Sequence, residues 1–201
     1  GIAVLEETLA ALRDVGTLSV LDVKRGDIGS TMAGYAQAYL SDGAPLAADS
    51  ITVSPYLGYG SLSPALDLAE ASGRGVFVLA LTSNPEGAAV QHAVNGERAV
   101  AAGVVEGVTA SNATASGEGR LGSVGLVVGA TVGEAVCRLG IDLLRANGPL
   151  LAPGIGAQGA GPAELESVFG SPSRPGLHVA RRPQGGALHR GTADGSAGSH
   201  A

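Results

Sequence analysis

Apolar positions Ile2, Leu5, Leu9 and Leu12 recur at helical spacing with Glu6, Glu7 and Arg13 between them, which predicts an amphipathic helix over residues 2–15, ended near Gly16. A short apolar strand, "TLSVLD", follows, and helical patterning returns over 29–40 before the turn signal Asp42-Gly43. The alternation then repeats through the strand "SITVSP", a helix over 63–71, the strand "GVFVLALT" and a helical stretch to about Ala93. After a Gly/Ser-rich patch, "TASNATASGEGRLGS", come the strand "VGLVVGAT", a helix over 132–145, the strand "LLAPG" and a short helix over 162–169.

Uncharged strands alternating strictly with helices specify a parallel sheet covered by helices, an α/β fold. About five strands are recognisable, which by number alone would suit an open doubly wound sheet. The polar residues point the other way. Asp22, Ser54-Pro55, Thr82-Ser83-Asn84, Thr131 and Pro153-Gly154 all fall at the carboxyl ends of successive strands, as on the catalytic rim of a (β/α)8 barrel. An open sheet would use only its switch point. The expected architecture is an incomplete (β/α)8 TIM barrel over residues 1–170, its strands standing as strands 3–7.

Composition narrows the function. A length of 201 residues allows one sizeable domain, and with only 3% aromatic residues and no Trp the core must be built from Val, Leu, Ile and Ala. The formal net charge of −6 weighs against nucleic acid or an anionic membrane as partner, because both need a basic face. A single cysteine, Cys137, makes no internal disulfide, and no leader or long apolar run is present, so a cytoplasmic protein acting on a small molecule is expected. His92, His178, His189 and His200 do not fall at metal-ligand spacing, so no metal and no cofactor is assigned.

The chemistry concentrates in "LDVKRGDIGSTM", where Asp22, Lys24 and Asp27 form a D-x-K-x-x-D cluster starting on the last residue of a strand. A plainer reading is a solvated turn with Asp27 starting the next helix. Strand alternation, however, sends the Asp22 and Lys24 side chains to the same side, into the mouth of a barrel. An ammonium between carboxylates stays charged and can deliver a proton to carbon. Ser83 is either a site residue or a helix N-cap before Pro85-Glu86. "PGIGAQG", with Gly154, Gly156 and Gly159, is a turn or, following a barrel strand, a loop whose backbone N–H groups approach a phosphate while Gln158 faces the ligand.

"LDVKRGDIGSTM" resembles the D-x-K-x-x-D-I-G-x-T signature of the orotidine 5′-phosphate decarboxylases, and "DSITVSPYLG", "LALTSNPEG" and "LLAPGIGAQGA" are similar to their bacterial subgroup with S-N-P and P-G-I-G-A-Q motifs. The resemblance covers residues 1–170 in order. It implies cofactor-free decarboxylation of orotidine 5′-phosphate to UMP, in pyrimidine biosynthesis, on a homodimeric barrel. Lys24 matches the proton donor to C6 and Asp22 the carboxylate beside it. Asp27 and Thr31 match residues reaching across the dimer into the partner's site, and Ser83 the serine on the pyrimidine edge. Pro153, Gly154, Gln158 and Gly159 fall in the phosphate loop.

The sequence departs from that pattern at both ends. The family's first two strands, with a second lysine, would lie upstream of Gly1, and a clear eighth strand with its phosphate-gripping arginine is missing. From Ser171 the periodicity stops in a Gly/Pro/Arg-rich stretch, 171–201, expected to be disordered or out of frame. Back-translated with GC-rich codons and read one base later, it can give "STSRDVLRAG", a strand end with its arginine followed by a helix. A barrel so incomplete exposes edges and apolar interior, so poor folding and little turnover are expected of the chain as written. The alternatives are a Mg2+-dependent sugar-phosphate decarboxylase of the same suprafamily and a non-catalytic fragment or dimer partner.

Overall fold

The computed structural model describes residues 1–156, 159–170 and 179–180. The chain alternates α1 (Ile2–Asp14), β1 (Val20–Arg25), α2 (Gly29–Leu40), β2 (Ser50–Val53), α3 (Ser63–Ala71) and β3 (Gly75–Leu81). A short α4 (Ala88–Gln91) and a hairpin of β4 (Val94–Asn95) and β5 (Arg98–Ala99) lead to α5 (Val100–Ser111) and α6 (Ala113–Gly117). β6 (Val124–Val128), α7 (Gly133–Arg138), β7 (Leu150–Leu151), α8 (Pro162–Phe169) and β8 (Val179–Ala180) follow.

The main sheet is all parallel, in the order β1-β2-β3-β6-β7-β8. Its strands succeed one another in chain order with no reversal. A doubly wound sheet reverses at its switch point, whereas a barrel does not, so the topology is that of a barrel segment. The five expected strands are present. β8, two residues inside the stretch 171–201, adds a sixth by pairing with β7. β1 forms the other edge, with Leu18 and Val20 exposed there.

The core lies between the sheet and its helices. β2 and β6 are buried at every position, as parallel strands covered on both faces should be. α5 packs on β3 and β6, α3 on β3, and α2 on α3 and β2. α1 is weakly anchored: Leu9 is buried, Leu5 packs against the core, and Ile2, expected on the apolar face, is exposed.

Several elements differ from the sequence reading. β1 runs on through Lys24 to Arg25, so Asp22 is not the last residue of its strand. α5 is a full helix, whereas the sequence shows only a Gly/Ser-rich patch near its end. Its Val and Gly residues have poor helix propensity, but Ala101, Val104, Val105 and Val108 make one buried stripe, so packing overrides propensity. The helix expected over 132–145 is broken, because Gly140 turns left-handed (φ 61°) after α7, and the Asp142 carboxylate then accepts the Leu144 N–H at 3.1 Å to start a new 3-10 turn. The β4–β5 hairpin turns at Gly96-Glu97 with Gly96 at φ 66°; a glycine at the first turn position is its signal.

Candidate active site

Because every main strand runs the same way, the loops after β1, β2, β3, β6 and β7 all emerge at one edge of the sheet. That edge collects Asp22 to Thr31, Ser54-Pro55, Thr82 to Asn84, Thr131 and Pro153-Gly154, as the sequence led one to expect. Backbone hydrogen bonds tie these loops together: Ser54 N–H donates to the Arg25 carbonyl (2.7 Å), Gly129 to Leu81 (2.9 Å) and Ala130 to Pro153 (2.8 Å). Gly26 sits so close to β2 that a Cβ there would overlap the Ser54 carbonyl oxygen.

At the end of β1 the Lys24 ammonium contacts the Asp22 carboxylate. Simple alternation does not bring them together. β1 pairs in register at Leu21↔Ile51 and next at Arg25↔Val53, so a bulge intervenes, and Lys24 sits in the left-handed region at φ 44°. A residue with a Cβ pays about 1–2 kcal/mol for that conformation. The bulge faces Thr52, which accepts the Lys24 N–H at 3.0 Å and donates to Asp22 Oδ1 at 2.7 Å. Thr52 is not among the residues the sequence singles out; a polar residue between Ile51 and Val53 inside the buried strand "SITV" is its signal. Lys24 is also the only lysine of the chain, the other eleven of its 12 basic residues being arginines.

The Asp22 and Lys24 side chains are 57% and 53% exposed, so their ion pair contributes little to stability, on the order of 0–1 kcal/mol. A strained backbone carrying an ion pair of small structural worth marks a candidate functional site. Arg25 turns away from it: the guanidinium lies 5.5 Å from the Tyr35 ring centroid, and hydrogen bonding to Tyr39 pushes its pKa further above the ordinary range. Asp27 is not the N-cap of α2, a position held by Ile28; its Oδ1 accepts the Ile28 N–H at 2.8 Å. Thr31 is exposed on the first turn of α2.

Ser83 is exposed and is not a helix cap; Asn84 precedes the 3-10 turn Pro85–Gly87. Its loop is locked by Gln91 of α4, whose Oε1 accepts the Thr82 N–H (2.9 Å) and whose Nε2 donates to Thr82 Oγ1 (2.6 Å). Thr82 Oγ1 donates to Asn84 Oδ1 (2.7 Å), and Asn84 Nδ2 to Glu86. Glu86 is held below the usual carboxylate range by its own backbone N–H and by Asn84. Beside this loop a cavity of about 260 Å3 is lined by Ser83, His92, Thr131 and Arg138 among others. A larger one, about 580 Å3, opens at the opposite end of the sheet among Ser19, Asp49, Arg74 and Arg120, away from the rim chemistry.

In the loop after β7, Gly154, Gly156 and Gly159 all have positive φ (100°, 79° and 87°), a path that only glycine follows without strain. The N–H groups of Gly156 and Gly159 donate within the loop, to Ala160 (3.0 Å) and Gly156 (2.8 Å). Gln158 lies outside the described residues. Among the described residues no three His, Cys, Asp or Glu side chains cluster as metal ligands, and no helix is long and apolar enough to cross a membrane.

Residues 2–168 match the sequence model of the orotidine 5′-phosphate decarboxylase / HUMPS family. An orotidine 5′-phosphate decarboxylase of Salinispora arenicola is 61% identical over 172 residues, 85% of this chain and 59% of that protein. That of Streptomyces coelicolor is 60% identical over 175 residues, 87% of this chain and 60% of the other. The chain thus spans about three-fifths of the length of these curated relatives. Among solved structures, a candidate orotidine 5′-phosphate decarboxylase of Streptomyces avermitilis superposes with a TM-score of 0.77 at 60% identity, covering 85% of this chain and 57% of that one. The OMP decarboxylase of Leishmania donovani gives 0.65 at 33% identity, covering 88% and 63%. Family match, fold and the D-x-K-x-x-D rim agree: the chain belongs to the orotidine 5′-phosphate decarboxylase / HUMPS family.

Proposed function

We propose that the chain serves the decarboxylation of orotidine 5′-phosphate to UMP in pyrimidine biosynthesis, in the cytoplasm, as a homodimer and without metal or cofactor. The observation that carries this reading is Lys24, the chain's only lysine, held against Asp22 on a left-handed backbone at the carboxyl edge of the sheet. In the proposed step the C6–carboxylate bond breaks, its electron pair stays on C6 and carbon dioxide leaves. Lys24 Nζ gives its proton to C6, forming the C–H bond of UMP, and the neutral amine regains a proton from water. The fixed ammonium also stabilises the negative charge that develops at C6. Asp22, in contact with that ammonium, keeps it aimed.

The remaining roles follow from position on the rim. Ser83 contacts the pyrimidine edge. Pro153, Gly154 and Gly159, with Gln158, cradle the phosphate. Asp27 and Thr31 complete the partner's site near the ribose. Beside them Ile28, Tyr56 and Leu57 are exposed, apolar surface that a second subunit would cover.

The test is release of labelled carbon dioxide from carboxyl-labelled orotidine 5′-phosphate, with excess chelator and with Lys24→Ala as control. Slow release, in keeping with the little turnover expected from the sequence, that depends on Lys24 and is indifferent to chelator is the predicted result. Release that needs Mg2+, or a preference for a sugar phosphate, would move the assignment to the other branch of the family. Release that survives Lys24→Ala would overturn the mechanism.

A further inference from the structure

We propose that Thr52 is the positioning residue of the Asp22–Lys24 pair, an inference that rests on the proposed role of that pair. Thr52 is 1% exposed, between Ile51 and Val53, which are wholly buried and need no polar neighbour. The register places it alone opposite the bulge: β1 goes from Leu21 to Arg25 while β2 advances only from Ile51 to Val53. Three residues, Asp22, Val23 and Lys24, therefore face one side chain.

The polarity of the Thr52 hydroxyl is forced. Lys24 N–H can only donate and an ionised Asp22 can only accept, so the hydroxyl accepts from the first and gives its proton to the second. Each bond fixes something different. The first holds the left-handed backbone of Lys24. The second occupies Asp22 Oδ1 and thereby turns Oδ2 toward the Lys24 ammonium. One buried hydroxyl thus sets both the backbone from which Nζ projects and the carboxylate that receives it. Valine would fill the same space and supply neither bond, leaving the Lys24 amide without its acceptor.

The single lysine makes this testable without turnover. Selective 15N-lysine labelling of the full chain gives one backbone amide resonance, that of Lys24. Its hydrogen exchange is expected to be about tenfold faster in Thr52→Val than in the parent, and close to the parent rate in Thr52→Ser, which keeps the hydroxyl. For decarboxylation of orotidine 5′-phosphate, kcat is expected to fall about tenfold to hundredfold in Thr52→Val with KM little changed, and to recover in Thr52→Ser. Equal exchange in Thr52→Val and parent would overturn the inference. So would a Lys24 amide that exchanges in the parent as an unprotected one, a reading that needs no variant to fold. If the parent releases no carbon dioxide while the exchange pattern holds, the proposed reaction fails and the positioning of the pair by Thr52 stands.

Discussion

Replacing Lys24 by glycine is expected to leave a more stable protein than replacing it by alanine, the reverse of the usual order in a strand. At φ 44°, alanine keeps the left-handed penalty of about 1–2 kcal/mol, which glycine escapes. Glycine's greater freedom in the unfolded chain takes back about 0.5–1 kcal/mol. Both variants lose the same exposed ion pair, worth about 0–1 kcal/mol. The balance puts Lys24→Gly about 0–1.5 kcal/mol above Lys24→Ala and within about 1.5 kcal/mol of the parent, while both variants lose decarboxylation. Urea unfolding of the three proteins side by side, followed by circular dichroism, reads the difference directly. If alanine proves the more stable of the two, residue 24 is not held left-handed, and the link between this strain and function fails.

Asn112 is 2% exposed and bonds the Val124 carbonyl (2.7 Å), the Ala146 carbonyl (2.7 Å) and the Val124 N–H (3.2 Å), so Asn112→Leu should cost about 3–5 kcal/mol in urea unfolding, by leaving buried backbone groups unpaired. Gly26→Ala should force β1 away from the Ser54 carbonyl, costing about 1–3 kcal/mol and weakening nucleotide binding, as calorimetry would show. The Glu164 carboxylate accepts the Gly161 N–H at 2.7 Å, and this bond and its own backbone N–H hold its pKa below the ordinary 4.5. Its contribution to α8 is therefore present above pH 4.5 and lost as the pH falls through the depressed folded value; Glu164→Gln should flatten that acid-side loss in a pH series of unfolding midpoints.

What was legible in the sequence was whatever local pattern decides. Strands β2, β3 and β6 showed as uncharged apolar runs and β1 by its apolar first half, and α2, α3 and α8 fell where their periodicity put them. α5 was not legible, because its Val- and Gly-rich segment becomes a helix only when its stripe meets β3 and β6, with Gly107 leaving room for the Tyr59 ring. The site divided in the same way. Residue types at the strand ends marked Asp22 and Lys24, but the reason given, side-chain alternation, was wrong: a bulge and a left-handed backbone bring them together. Thr52 and Gln91 act through hydrogen bonds across 28 and nine positions, to Lys24 and to Thr82, and no linear spacing encodes such pairs.

The central claim is that orotidine 5′-phosphate binds at the carboxyl rim with its reacting carbon at Lys24. The most direct measurement is a titration of the 15N-lysine-labelled chain, whose lysine signals arise from Lys24 alone, with orotidine 5′-phosphate and with UMP. The Lys24 backbone and ammonium signals are expected to move saturably with both nucleotides and to be indifferent to uridine at the same concentrations, as they must if the phosphate anchors the ligand. Lys24 signals that stay in place while the nucleotides are saturating, or that respond equally to uridine, would contradict the claim.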